Sequence, residues 1–157
     1  MTEPPKYSLM EIERRWLVDL SAVDLRSTPF REIDDLYIEG SRLRLRSISG
    51  SNELTFKLCK KYGKRTALSE PITNLYLTDE EYRRLAVLPG HRTRKRRYSL
   101  QVGSLDVYVE PNQGLAVLEV EFADERSAKE FAPPHFATRE ITGEAEFSGA
   151  SLAEHRR

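Results

Sequence analysis

The chain has a single cysteine, Cys59, which excludes an intramolecular disulfide and any zinc site built from several cysteines. It has no apolar stretch near the roughly 20 residues that a membrane-spanning helix needs. Its first residues, Met-Thr-Glu-Pro-Pro, lack the basic and then apolar regions of a signal peptide. These absences predict a cytoplasmic protein with no membrane partner. Net charge is also missing, since 25 basic residues balance 25 acidic ones. Affinity for bulk duplex grows with the number of phosphates neutralised, so this balance disfavours a nucleic-acid partner. No Gly/Ser linker and no internal repeat interrupts the 157 residues. The expectation is one domain over 1–157, with a flexible lead at 1–6 and a flexible tail at 153–157.

Short strand-like runs dominate what is present. They fall at 7–18, 33–38, 41–48, 53–60, 66–73, 92–102, 105–110 and 115–122. Gly40-Ser41, Gly50-Ser51-Asn52, Gly103-Ser104 and Asn112-Gln113-Gly114 separate several of them and offer the positive-φ positions that hairpins use. So many strands in succession predict a mainly β fold, a closed meander or barrel with a few helices outside it. One helix is marked by Thr78 as N-cap with Glu81 three residues on, followed by Tyr82, Leu85 and Leu88 and stopped at Pro89-Gly90. A second starts at Asp124, runs through Phe131 and ends at Pro133-Pro134; a last turn falls around Ser151-Leu152-Ala153. The two longer helices are one-sided enough to cover the outer face of a sheet.

The charges themselves follow the two-residue period of a strand. Glu11, Glu13 and Arg15 share a face, with Ile12 and Trp16 opposite and Arg14 spoiling that apolar side. Arg42, Arg44 and Arg46 alternate with Leu43 and Leu45, and Lys57 alternates with Phe56 and Leu58. Lys95 pairs with Arg97, Asp106 alternates with Leu105 and Val107, and Glu119 and Glu121 alternate with Leu118, Val120 and Phe122. For any one strand this is the solvated side of a two-sided sheet. Taken together, the sets describe a barrel whose polar faces turn inward and whose apolar faces lie under helices. Unpaired buried charge is costly, so such an interior must hold water, ions or a charged ligand.

Glutamates offer hard oxygen ligands that suit magnesium or manganese. Arginine presents a fork of donors for phosphate, and lysine a point charge. Carboxylates beside cations in one cavity therefore fit a metal–phosphate complex and metal-assisted phosphoryl transfer.

These residues resemble the CYTH, or triphosphate tunnel metalloenzyme, superfamily. Glu11-Ile12-Glu13-Arg14-Arg15 with Trp16-Leu17-Val18 is similar to its N-terminal E-x-E-x-K signature. The resemblance continues in family order through Leu43-Arg44-Leu45-Arg46, Leu54-Thr55-Phe56-Lys57, Lys95-Arg96-Arg97-Tyr98, Leu105-Asp106-Val107-Tyr108, Leu118-Glu119-Val120-Glu121-Phe122 and Glu140-Ile141-Thr142-Gly143. It implies an eight-stranded antiparallel tunnel with Mg2+ or Mn2+ dependence and a small-molecule triphosphate substrate such as tripolyphosphate or ATP. Glu11, Glu13, Glu119 and Glu121, with Asp106 near them, would hold metal. The basic residues Arg42, Arg44, Arg46, Lys57, Lys95 and Arg97 would grip phosphates, and a metal-activated water would attack.

Two departures matter. Arg15 stands where the family usually has lysine, and arginine keeps its proton, so it supplies charge but cannot share a proton with water. The family's R-x-E-x-E run is met only by Arg65-Thr66-Ala67-Leu68-Ser69-Glu70, which leaves Arg65 and Glu70 as candidates. The favoured reading is a metal-dependent hydrolase of inorganic tripolyphosphate, since no base-reading element is evident. A tunnel-type adenylate cyclase and a non-catalytic polyphosphate- or nucleotide-binding module are the alternatives, and a homodimer stays open. The Arg92–Arg97 run invites a nucleic-acid reading, but alternation splits it between two faces. His91, His135 and His155 have no metal-ligand spacing, Cys59 has no activating neighbour in sequence, and Trp16 and the tyrosines read as packing for helices.

Overall fold

The computed structural model describes residues 2–155; Met1 of the expected lead and residues 156 and 157 of the expected tail lie outside the described residues. Eight strands form the frame: β1 (Leu9–Val18), β2 (Phe30–Ile38), β3 (Leu43–Ser49), β4 (Leu54–Lys61), β5 (Ser69–Leu77), β6 (Gly90–Ser99), β7 (Ser104–Glu110) and β8 (Ala116–Glu121). They lie in the order β5-β4-β3-β2-β6-β7-β8-β1, every pairing antiparallel, and β1 returns to pair with β5. That last pairing closes the barrel and removes the sheet's free edges. Each strand matches a run expected from the sequence, with ends moved by a few residues.

A ninth strand, β9 (Ala137–Glu140), is absent from the sequence expectation. Four residues just after Pro133-Pro134 are too few to display a period. β9 exists because β5 covers only Leu9–Ile12 of β1, which leaves Trp16–Val18 to pair elsewhere.

Gly40, Asn112 and Gly114 take the positive φ expected of their turns, but Gly50 and Gly103 do not. Gly103 is needed for space instead: a Cβ there would lie 2.4 Å from the Glu119 carbonyl oxygen.

Parts of the outer face are apolar and covered by helices, as expected, but β2 and β6 turn Glu32, Asp34, Arg92, Arg94 and Arg96 outward to solvent. Helix α1 (Asp79–Leu85) has both halves of its capping box, and Tyr82 stacks on Phe56 of β4 with ring centroids 4.3 Å apart. Helix α2 (Glu125–Glu130) is capped by Asp124 and ends at Glu130, with Phe131 as its C-cap. Phe131 packs on Trp16, in a cluster with Leu118, Val120, Phe122 and Phe136. Arg14, the charge on that apolar side, donates to the Ala128 and Phe131 carbonyls and to Glu140, so it ties α2 and β9 to β1.

One end of the interior is apolar. Leu17, Tyr108 and Val117, from the inward faces of β1, β7 and β8, pack with Ile141, Phe147 and Leu152 of the C-terminal segment. Helix α3 (Gly149–Glu154) lies across that end, with Gly149 so close to Tyr37 that a Cβ would come within 1.9 Å of its hydroxyl oxygen. Asn112 donates to the Leu152 and His155 carbonyls and fastens the helix from the β7–β8 turn. The expected last turn is thus a plug, and the expected tail boundary is corrected: Ala153 is buried inside α3, which runs to Glu154. Among the described residues no helix is long and apolar enough to cross a membrane.

Candidate functional site

Alternation along each strand sends one set of side chains into the barrel, and cross-strand register decides which of them meet. β1 and β8 are neighbours, with Glu13 opposite Glu121 and Arg15 opposite Glu119. On the other side of β1, Glu11 stands opposite Glu70 of β5. Carboxylates so placed repel one another. Burial first, then the charges of Glu119 and Glu11, lifts the Glu13 carboxyl to a pKa of about 7 against the pull of Lys61 and Arg15.

Glu11 is neutralised from across β5. Lys61, the last residue of β4, donates from Nζ to Glu11 Oε1 at 2.9 Å and lies 4.0 Å from Glu70 Oε2. Glu70, buried, also accepts from the Gly63 backbone N–H. Burial pulls the Lys61 pKa down, but Glu11 and Glu13 outweigh it and hold the ammonium above its ordinary value.

The cations on the other strands are held by two buried aspartates. Asp35 of β2, fully buried, accepts from Arg46 Nε at 2.6 Å and Nη2 at 2.8 Å, with Arg44 Nε 3.8 Å away. Asp106 of β7 meets Lys95 Nζ at 2.6 Å and takes both Nε (2.6 Å) and Nη2 (2.7 Å) of Arg97. Arg97 Nη2 reaches on to Glu119 Oε2 at 2.9 Å. Burial alone would raise these acids. The adjacent cations win, holding Asp35 and Asp106 far below the usual carboxylate range and Glu119 at about 2 despite the added push from Asp106.

Two buried donors are left over among the described residues: the Nε–H groups of Arg15 and Arg44 have no hydrogen-bond acceptor. Arg15 donates from Nη1 to the Phe147 carbonyl at 2.8 Å, while its Nε lies 3.4 Å from Glu119 without bonding it. An orphaned buried donor on a charged group costs free energy that an anion in the interior would recover.

The structure thus brings Glu11, Glu13, Arg15, Arg44, Arg46, Lys95, Arg97, Asp106 and Glu119 together inside the barrel. Lys57 faces the same way, opposite Arg46, with its ammonium 5.1 Å above the Tyr76 ring near the end away from α3. Glu121 shares the inward face of β8 but stands exposed at that rim.

Two expected residues are not brought in. Arg42 precedes β3, is exposed and lies against Gly63. Arg65 sits in the β4–β5 loop and donates outward to the Thr2 carbonyl. Arg65 belongs to no strand, and Arg42 stands just before β3, its carbonyl accepting from the Lys61 N–H while its side chain lies exposed beside Gly63. Asp106 differs from expectation in its company: both its oxygens are engaged by Lys95 and Arg97. Among the described residues no three His, Cys, Asp or Glu side chains already form a metal-ligating group. The acids converge by register, but separate cations draw their carboxylates apart.

Asp35 and Lys61 carry as much of the interior charge as any residue the sequence nominates. The period Ile33-Asp35-Tyr37 marks Asp35, but the adjacent Asp34 obscures it. Lys61 continues the Lys57-Cys59 face one residue past the expected strand end. Tyr37 and Tyr108 point inward and pack against α3 from inside the barrel. The basic run of β6 splits as alternation requires. Arg92, Arg94 and Arg96 pair outside with Asp34, Glu110 and Glu32, and Lys95 and Arg97 turn inward. The three histidines are exposed, and Cys59 is buried opposite Arg44.

No family model matches the chain, and no curated protein does. Two crystal structures of a protein called NE1496 resemble it. One, described as a hypothetical protein, has a TM-score of 0.60 and 24% identity over 94% of this chain and 99% of the other. The second, described as the inorganic triphosphatase NE1496, has a TM-score of 0.59 and 23% identity over 92% and 95%. At this identity the likeness is one of fold. With its closed eight-stranded antiparallel barrel and inward-facing charges, the chain shares the fold of NE1496, the barrel that its sequence resemblance to the CYTH, or triphosphate tunnel, superfamily implies.

Proposed function

We propose that the chain is a metal-dependent triphosphatase that binds its substrate inside the barrel and cleaves a phosphoanhydride bond, with inorganic tripolyphosphate the favoured substrate. The observation that carries this is the partition of the interior. Glutamates gather on the adjacent strands β5, β1 and β8 with Arg15 among them, cations gather on β3, β4 and β6 with Asp35 and Asp106 beside them, and two buried guanidinium donors still lack an acceptor. The description of the structural neighbour NE1496 as an inorganic triphosphatase supports the same substrate class.

The residues fit a hard divalent cation. Glu11, Glu13, Glu119 and Glu121 offer oxygen donors, and the Lys61 ammonium already stands among Glu11, Glu13 and Glu70 where positive charge is wanted. Held by those glutamates, magnesium or manganese would polarise phosphate oxygens and acidify a water. Arg44, Arg46, Lys57, Lys95 and Arg97 bind the phosphate chain, and Arg15 adds charge at its Nε without trading protons. Asp35 and Asp106 act as positioning residues that hold Arg46, Lys95 and Arg97 in place; Asp106 is assigned there, away from the metal.

Inside the barrel Glu11, Glu13, Asp35, Glu70, Asp106 and Glu119 face Arg15, Arg44, Arg46, Lys61, Lys95 and Arg97, equal numbers of acidic and basic groups, with Glu13 part-protonated at neutral pH. A bare polyanion would upset that balance, and a metal-bound one far less. With α3 across one end, substrate enters past Lys57 and Glu121. Arg42 and Arg65 take no part.

Arg15 favours a second reading. Its tie to the Phe147 carbonyl in the plug suits a fixed charge more than a moving catalytic group, which fits a module that binds a triphosphate without turnover. Incubation with Mn2+ or Mg2+ and either tripolyphosphate or ATP tests both. Phosphate released from tripolyphosphate and abolished by EDTA supports the hydrolase, cyclic AMP from ATP replaces it with the cyclase, and tight binding without product supports the module.

A further inference from the structure

Among the described residues Lys61 is the one interior cation that pairs with Glu11 of the proposed metal site, whereas Arg15 and Arg97 reach Glu119. Its ammonium donates to Glu11 at 2.9 Å, lies 4.0 Å from Glu70, and acts on Glu13 as well. Arg44, Arg46, Lys95 and Arg97 have Asp35 or Asp106 as their own buried counter-ions. Lys61 has only the longer contact to buried Glu70 apart from the metal acids, and it stands at the end of a strand, its side chain reaching past β5 to β1.

We infer that Lys61 is a resident counter-cation that occupies the carboxylate side of the interior in the metal-free protein and is displaced when a divalent cation binds. This rests on the metal reading above. Two positive species cannot both sit against Glu11 at contact distance at this half-buried place, where the Lys61 side chain is 38% exposed, because their repulsion there is stronger than in water. The metal must therefore expel the ammonium from Glu11, and each metal bound is bound against that cost. Displaced, the ammonium remains on the same wall as Lys57 and close to the like charge of Arg44. Glu70, already 4.0 Å away, stays within its reach, and an anion is the further partner that relieves it there. Lys61 thus makes metal bind weakly alone and more tightly when a phosphate chain is present, by the reciprocity that any two coupled ligands obey.

Calorimetric titration of Mn2+ into the wild-type protein, Lys61→Met, Lys61→Arg and Glu11→Gln tests this. Lys61→Met is expected to bind Mn2+ roughly tenfold more tightly or better, the scale of a typical coupling. Lys61→Arg, which keeps the charge, stays near wild type, and Glu11→Gln binds more weakly than wild type. If Lys61→Met is too unstable without metal to titrate, the rise in its melting temperature from EDTA to Mn2+ must exceed that of wild type. Wild-type binding with Lys61→Met equal or weaker overturns the displacement while leaving the metal site standing. No Mn2+ binding by wild type or by Lys61→Met overturns the metal reading, and this inference with it.

Discussion

Replacing Glu13 by glutamine removes the least comfortable charge in the barrel and predicts a gain in stability that depends on pH. In the folded protein its carboxyl titrates near 7 against an ordinary 4.5, raised by burial and by Glu119 and Glu11. The folded state therefore holds a proton that the unfolded chain has already released, and wild-type stability falls as pH climbs from about 4.5 to 7 and is flat above. At about 1.4 kcal/mol per pKa unit the full cost would be about 3 kcal/mol, and joint titration with its acidic neighbours trims this to about 1–3 kcal/mol. For a chain of this size that corresponds to a melting temperature about 2–10 °C higher for Glu13→Gln at pH 8 in EDTA. The glutamine keeps the shape and lacks the slope, so the two curves should nearly meet at pH 5. Thermal unfolding followed by circular dichroism at pH 5, 6, 7 and 8 reads both quantities. A variant no more stable than wild type at pH 8, or one whose advantage persists unchanged at pH 5, would refute the reasoning.

Asp35→Asn leaves Arg46 and Arg44 buried beside a neutral partner and should cost about 3–5 kcal/mol, read as a lower urea midpoint. Glu11→Ala and Glu121→Ala should each abolish metal-dependent phosphate release with unchanged far-UV circular dichroism; unchanged rates in both would count against the metal assignment. Arg65→Ala should leave turnover as it is, because its guanidinium serves Thr2 outside the barrel. Gly149→Val places side-chain atoms on the Tyr37 hydroxyl and should lower the melting temperature by dislodging α3 from the barrel end. Arg15→Lys keeps the charge but gives up the bond to Phe147, and faster phosphate release in that variant would mark the arginine as a brake on turnover.

Much of the frame is legible along the chain because a strand writes its own period. Glu11-Glu13-Arg15, Arg44-Arg46, Lys95-Arg97 and Glu119 share faces by spacing alone, and Leu45, Trp16 and Leu118 define the opposite side. The capping box of α1 and the aspartate cap of α2 are likewise local, each a side chain bonded to backbone three residues away. β9 and the plugging role of α3 are not local. β9 exists because β5 is too short to cover β1, and α3 finds its place through Tyr37, Tyr108 and Leu17 from three distant strands.

Spacing along a strand says which residues stand together, but not which face is inside or who answers whom across the interior. The closure of β1 against β5 sets Lys61 beside Glu11 and leaves Glu13 without a cation of its own, while the register of β6 on β7 gives Asp106 to Lys95 and Arg97. Arg65 has the right chemistry and misses the interior because it lies in a loop, and Arg42 because it falls at the end of the β3–β4 ladder, exposed beside Gly63. The physical reason is range. Backbone geometry repeats over two residues and can be read locally, whereas the field at a buried charge sums over every strand around it, and only the closed barrel brings those strands together.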